Sequence, residues 1–293
     1  MVRLYFFVAM FILVNALMGQ GQPLFQKVPS DHSNITFNNT IQDTKEHSIL
    51  KYSNYYGGAG VAIGDLDNDG LQDLFFAGNL VNDRIYKNLG NLQFEDVVER
   101  SGIIQDSSWS SGVVFADVNN DGLLDIYVTC ELYDDRADLR TNKLYINKGD
   151  FQFEEAGNQY GVDDTNRTRG ATFFDYNNDG FLDLLLLNQP PNPGNYSKYA
   201  GKALLRKEWS PKLFVNIAGR YFKDVSQEAG IDIPSYPNAV VAADLNKDGW
   251  QDLYIANDYD SPDFLFINNQ NGGFDNIANE ALRHMSYYSM GVD

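Results

Sequence analysis

Four nine-residue stretches of this chain place oxygen-bearing side chains at the same alternate positions: 65–73 (DLDNDGLQD), 117–125 (DVNNDGLLD), 175–183 (DYNNDGFLD) and 244–252 (DLNKDGWQD). Positions 1, 3, 5 and 9 are Asp65, Asp67, Asp69 and Asp73 in loop 1, and Asp117, Asn119, Asp121 and Asp125 in loop 2. They are Asp175, Asn177, Asp179 and Asp183 in loop 3, and Asp244, Asn246, Asp248 and Asp252 in loop 4. A Gly stands at position 6 of each. Leu71, Leu123, Phe181 and Trp250 follow at position 7, where an apolar side chain leaves the backbone carbonyl free to act as a ligand. Hard oxygens on alternate residues of a tight turn, with a Gly to permit the reversal, suit Ca²⁺, which takes about 6 to 8 oxygen ligands. One ion per loop is expected.

The EF-hand also begins D-x-[DN]-x-[DN]-G, but it requires a bidentate Glu at position 12 and a helix on each side. Position 12 here is Phe76, Val128, Leu186 and Ile255. These lie in short runs rich in β-branched and aromatic residues, such as LDIYVT and QDLYIAN, which read as strands. One D-N-x-D-G could equally be a plain hairpin turn, because Asn, Asp and Gly dominate turns. Turn chemistry does not explain why all four copies keep an Asp at position 9.

The strands that must position these loops recur in a fixed order. An apolar strand ends at the first Asp (GVAIGD, GVVFAD, GATFFD, AVVAAD), and after the loop comes a second strand (LQDLFFAG, LLDIYVTC, FLDLLLLN, WQDLYIAN). A third strand has an Asn near its end (RIYKN, KLYIN, KLFVN, FLFIN), and a fourth is built on Phe (LQFEDV, FQFEEA, RYFKDV, GGFDNI). Four strands per unit predict an all-β fold, a β-propeller of four-stranded blades. The blades fall at about 57–105, 109–163, 167–232 and 237–283, and 288–293 reads as the start of a fifth. First aspartates are spaced 52, 58 and 69 residues apart. The excess in the third unit comes from a Pro-rich, then basic insertion at 189–212, which carries Lys198, Lys202, Arg206, Lys207 and Lys212. A Gly lies five residues before the first Asp in units 1 to 3 (Gly60, Gly112, Gly170), and the same offset from Gly291 would put a fifth loop at 296. A seven-bladed ring is the expected completion, with the segment near Ile35–Phe37 as a Phe-bearing fourth strand that closes it.

Composition narrows the function. With 22 basic against 40 acidic residues the net charge is −18, which argues against a nucleic-acid partner, since such binders present a basic face. The loops hold 13 of the 40 carboxylates. Residues 1–21 read as a secretory signal peptide: Arg3, then the apolar run Leu4–Val14, then small residues near a cleavage point. The run is too short to span a bilayer, which takes about 20 residues, and no later segment could cross one. The lone Cys130 excludes an internal disulfide and reads as an inert thiol, while His32, His47 and His284 share no spacing that would make a triad or a zinc site.

The pattern G-x-x-x-x-D-x-[DN]-x-D-G-x-x-D, followed by N…F-x-D and G-[IV], resembles the FG-GAP or VCBS repeats that build the β-propeller of integrin α subunits. It is most similar to the secreted repeat proteins with an ASPIC/UnbV domain, the group that includes cartilage acidic protein. The resemblance covers about residues 24–293 and implies calcium at the loop positions above. The literal Phe-Gly and Gly-Ala-Pro elements are missing, Ala239 replaces the Gly in unit 4, and no ASPIC/UnbV segment falls within these 293 residues, which read as the front of a longer chain. An integrin-type ligand face is therefore not implied. The expected function is an exported, non-enzymatic calcium-binding module that adheres to an extracellular protein or glycan, secreted or held at the cell surface. The alternatives are a propeller-type polysaccharide lyase or hydrolase, whose scattered acid and base would escape motif reading, and a structural spacer in a larger surface protein. On ligand charge alone, loop 1 with four carboxylates should bind calcium most tightly, and loop 4, with Lys247 beside it, least.

Overall fold

The computed structural model describes residues 24–190 and 207–292, apart from 53, 107, 134, 260 and 287. The signal-like segment 1–21 lies outside these residues, as do Lys198, Lys202 and Arg206 of the insertion. Blade 1 consists of β1 (Val61–Gly64), β2 (Asp73–Phe76), β3 (Arg84–Asn88) and β4 (Phe94–Asp96). Blade 2 has β5 (Trp109–Ala116), β6 (Asp125–Glu131), β7 (Lys143–Asn147) and β8 (Phe153–Glu155). Blade 3 has β9 (Arg167–Phe174), β10 (Asp183–Gln189), β11 (Lys212–Asn216) and β12 (Phe222–Asp224). Blade 4 has β13 (Pro237–Ala243), β14 (Asp252–Asn257), β15 (Phe264–Asn268) and β16 (Phe274–Asn276). Each blade is a separate antiparallel sheet whose strands pair in chain order, as the sequence predicts.

The core lies between blades, in apolar layers. Phe75, Ile85, Ile126 and Val128 pack where blades 1 and 2 meet. Tyr127, Ile146, Leu184 and Phe214 join blades 2 and 3, and Leu185, Leu213, Ile255 and Phe266 join blades 3 and 4. Alternation along a strand sends successive side chains into different layers, so buried strands such as β6 and β10 are apolar on both faces. The Phe that opens each fourth strand (Phe94, Phe153, Phe222, Phe274) is buried in all four blades.

The first strands β1, β5, β9 and β13 run side by side, and in blade 1 the Gly five residues before the loop stands at a close backbone approach. A Cβ on Gly60 would stand 2.7 Å from the Val113 nitrogen and 2.8 Å from the Gly112 Cα, which are backbone atoms that cannot yield. On Gly112 the nearest atoms of β9 would be the Arg169 carbonyl oxygen at 3.5 Å and the Gly170 Cα at 3.6 Å, whereas on Gly170 a Cβ would meet nothing within 4 Å. The approach relaxes along the arc, which accounts for Ala239 in the fourth blade. Gly60→Ala should therefore cost about 1–3 kcal/mol through forced separation of blades 1 and 2, and Gly170→Ala under about 1 kcal/mol in either direction. Thermal melts of the two variants check this; equal shifts would show that the glycines serve something other than close packing.

Ile35–Phe37 is not a strand, contrary to the sequence expectation. Ser30–Ser33 forms a helical turn that ends on Asn34 at φ 60°, after which Ile35 N–H donates to Ser33 Oγ. The N–H groups of Thr36 and Phe37 then donate to the Tyr86 hydroxyl. The connection after blade 1 has the same parts. Val98–Ser101 is a helical turn that ends on Gly102 at φ 80°, Ile103 N–H donates to Ser101 Oγ, and Ile104 N–H donates to the Tyr145 hydroxyl. Residues 30–37 thus repeat the link that follows a fourth strand, and they dock on blade 1 as 98–104 docks on blade 2. Asn34 serves where Gly102 does because Asn tolerates the left-handed region. Residues 288–292 form no strand either, but Ser289 bonds to the Asn257 carbonyl and Asp263 as Ser110 of β5 bonds to the Gly78 carbonyl and Asp83.

Candidate metal loops

All four loops share one hydrogen-bonded frame. The position 1 carboxylate accepts two backbone N–H groups: Asp65 from Asp69 (3.1 Å) and Gly70 (2.8 Å), Asp117 from Asp121 (3.1 Å) and Gly122 (2.8 Å). Asp175 and Asp244 do the same with Asp179 and Gly180, and with Asp248 and Gly249. The position 5 carboxylate accepts the N–H of position 7 at 2.9 Å, as Asp69 does from Leu71, Asp121 from Leu123, Asp179 from Phe181 and Asp248 from Trp250. Position 4 lies in the left-handed region in every loop (Asn68, Asn120, Asn178, Lys247), and the Gly after position 5 has φ of 85° to 88°. At that φ a Cβ is strained, so the Gly is required by conformation and not by space.

The position 9 Asp, first residue of the second strand, ties the loop to its blade. Asp73 accepts the N–H groups of Leu66 and Asn88, Asp125 those of Val118 and Asn147, Asp183 those of Tyr176 and Asn216, and Asp252 those of Leu245 and Asn268. This third-strand Asn is a site residue to which the sequence reading assigned no role. The side-chain amide of Asn147 donates across the blade boundary to the Leu66 carbonyl of loop 1, Asn216 to Val118 of loop 2, and Asn268 to Tyr176 of loop 3. The loops also bond to one another. Asn68 donates to the Gly122 carbonyl, Asn120 to Gly180, and Asn178 to Gly249. The signal in the sequence was the recurrence of N at fixed offsets, and only the blade stacking shows what it reaches.

The ligand positions fit a hard cation. Asp65, Asp67 and Asp73 each bring a carboxylate oxygen within 4.8 Å of the others, and Asp67 Oδ1 is buried with no hydrogen-bond partner. Asp69 accepts from Leu71 N–H and from Lys87, which also bonds to Asp67. In loops 2 to 4 the position 3 amide donates to the position 5 carboxylate, as in Asn119 to Asp121 (3.0 Å), Asn177 to Asp179 (3.1 Å) and Asn246 to Asp248 (3.0 Å). Burial pushes the Asp125 and Asp183 carboxyls up to about 7, opposed by their two N–H donors and reinforced by the neighbouring loop carboxylates. Asp73 is raised for the same reasons. Lys87 holds Asp69 below the usual carboxylate range, and the Trp250 N–H does so for Asp248. Buried carboxylates with raised proton affinity have a charge demand that a divalent ion would meet. If bound, the ion would be held by positions 1, 3, 5 and 9 with the carbonyl of position 7, and it would cross-link the two ends of each loop.

The other sequence candidates are structural. Cys130 is fully buried, and burial pushes its thiol up to about 12, so it stays protonated. Two cations of the insertion are spent internally, Lys207 on Asp232 and Lys212 on Asp164. Among the described residues no helix is long and apolar enough to cross a membrane.

A family model described as FG-GAP-like repeat matches residues 65–128 and 134–186, which include loops 1 to 3. Cartilage acidic protein 1 of Xenopus tropicalis is 31% identical over 77 residues, which are 26% of this chain and 12% of that protein. The chain therefore spans a small part of the curated relative it matches. The biofilm matrix protein Bap1 of V. cholerae shares 14% identity over 76% of this chain and 30% of its own, with a TM-score of 0.37. The Tc holotoxin pore of Photorhabdus luminescens shares 17% identity over 74% and 12%, with a TM-score of 0.24.

Proposed function

We propose that this chain, whose residues 65–128 and 134–186 match FG-GAP-like repeats, is an exported calcium-stabilised propeller that binds a protein or glycan outside the cell or on its surface. It acts as an adhesion-type module and performs no catalysis. One observation carries this reading: the polar residues that recur from blade to blade hold loops to blades and blades to each other. The loop aspartates take backbone N–H groups, the third-strand asparagines bridge to the preceding loop, and the position 4 asparagines bridge to the next. A repeated scaffold of this kind offers a rigid surface whose exposed residues are free to vary, which suits recognition. The fragmentary match to cartilage acidic protein 1 supports an extracellular setting.

The test is a glycan array and a pull-down against extracellular proteins, each run in millimolar calcium and in chelator, with a polysaccharide depolymerisation assay alongside. Calcium-dependent retention without cleavage is the expected result. Release of oligosaccharides would overturn the non-enzymatic reading in favour of a lyase or hydrolase, and absence of any retention would leave a spacer.

A further inference from the structure

Loop 1 differs from the others in a pair of residues. Position 3 is Asp67 where loops 2 to 4 have Asn119, Asn177 and Asn246, and the residue before the third-strand Asn is Lys87 where the other blades have Ile146, Val215 and Ile267. The two differences meet in space. The Lys87 ammonium donates to Asp67 Oδ2 and, at 2.9 Å, to Asp69 Oδ2, with its charge also over the Phe151 ring at 5.3 Å. The three side chains are 23%, 13% and 33% exposed. In the other loops the position 3 amide makes the bond to the position 5 carboxylate; Asp67 has no hydrogen to give, and Lys87 makes that link instead.

Resting on the calcium reading, we infer that Lys87 is a tethered cation of loop 1 that sets the loop's divalent affinity below that of loops 2 and 3. The fourth carboxylate, which on charge count made loop 1 the tightest site, is offset by an ammonium bonded to two of the five expected ligand residues. A calcium ion entering loop 1 must displace those bonds or share Asp67 and Asp69 with a positive neighbour. A unit charge beside a divalent ion at contact distance in high dielectric weakens binding by about tenfold or more. What loop 1 gains is order without metal: Lys87 already joins positions 3 and 5. Lys247 of loop 4 is not equivalent, since it occupies the exposed position 4 and not a ligand-facing strand site.

The position 6 glycines give a separate readout for each loop, because each amide donates to the position 1 carboxylate (Gly70 to Asp65, Gly122 to Asp117, Gly180 to Asp175, Gly249 to Asp244). Calcium alone is titrated into the whole chain while the four glycine amide resonances are followed. Gly122 and Gly180 should respond at about tenfold lower calcium than Gly70. Lys87→Met should bring the Gly70 midpoint down to theirs and leave Gly122 and Gly180 in place. Lys87→Gln, which keeps a hydrogen-bond donor without the charge, should do the same and serves if the Met variant folds poorly. A Gly70 that responds with or before the others, or a midpoint indifferent to both substitutions, overturns the inference while leaving calcium binding intact. If no glycine responds up to millimolar calcium, the calcium reading fails and this inference fails with it.

Discussion

Chelating divalent ions should lower the melting temperature of this protein by roughly 10–20 °C, and calcium but not magnesium should restore it. Each loop gathers three or four carboxylates, and two such charges about 4 Å apart repel by roughly 1 kcal/mol in water and about 4 kcal/mol at an effective dielectric of 20. The backbone N–H groups that donate to the carboxylates at positions 1, 5 and 9 offset part of this repulsion, but they leave the buried Asp67 Oδ1 without a partner. For extracellular sites with Kd near 10⁻⁴ M, millimolar calcium contributes about 1.4 kcal/mol per loop by mass action. Three such loops and a tenfold weaker loop 1 give about 4–5 kcal/mol, and each kcal/mol moves the midpoint of a chain this size by roughly 2–4 °C. Magnesium holds its waters too firmly for a loop that supplies mostly protein oxygens. An unchanged melting curve in excess chelator would remove metal from the account of stability.

The loops were legible because the requirement is local: alternate oxygens, a Gly forced by φ near 85°, and an Asp that opens the next strand all lie within nine residues. The blades were legible for a related reason, since a repeated order of strands shows itself by recurrence even where single strands are ambiguous. What connects one blade to the next was not. Asn147 reaches Leu66 across 81 positions of sequence, and nothing in either residue's neighbours announces the other. The same holds for Lys87, which the pattern marks only as a charge in a strand and whose two carboxylate partners lie 18 and 20 residues earlier. If Lys87 acts as inferred, counting loop carboxylates ranks loop 1 too high. Ile35–Phe37 misled for a different reason. A Phe in a short β-branched run satisfies strand periodicity, but the preceding S-N-I carries the capping chemistry of an inter-blade link, visible only beside S-G-I at 101–103.

In chelator, the protein should melt higher at pH 5 than at pH 8, and in millimolar calcium this dependence should shrink or reverse. Asp125 and Asp183 decide the sign. Both are buried, and both have carboxyls raised to about 7, well above the roughly 3.9 of an unfolded Asp. A carboxyl whose folded pKa is raised gives stability that is fully present below its unfolded pKa and is lost as pH rises through the folded value, so the metal-free fold weakens across about pH 4–7. At 1.36 kcal/mol per pKa unit the two groups are worth on the order of 4 kcal/mol each as an upper limit, so a drop of about 5–15 °C is expected between pH 5 and pH 8. Carboxylates lowered by their partners, such as Asp69 and Asp248, work in the opposite sense, but they titrate below this window. Asp83, raised to about 6 by burial, adds to the loss in both metal states, and Asp83→Asn isolates its share, since Asn142 already fills the equivalent place in blade 2. Calcium binds the ionised form, so it competes with the protons on Asp125 and Asp183 and should lose roughly tenfold in affinity for loops 2 and 3 per unit below pH 7. Melting curves at pH 5, 6, 7 and 8, with and without calcium, measure both effects. A chelated protein no less stable at pH 8 than at pH 5 would mean that these two carboxyls are already ionised in the metal-free fold, and that the loops hold their charge without help from a cation.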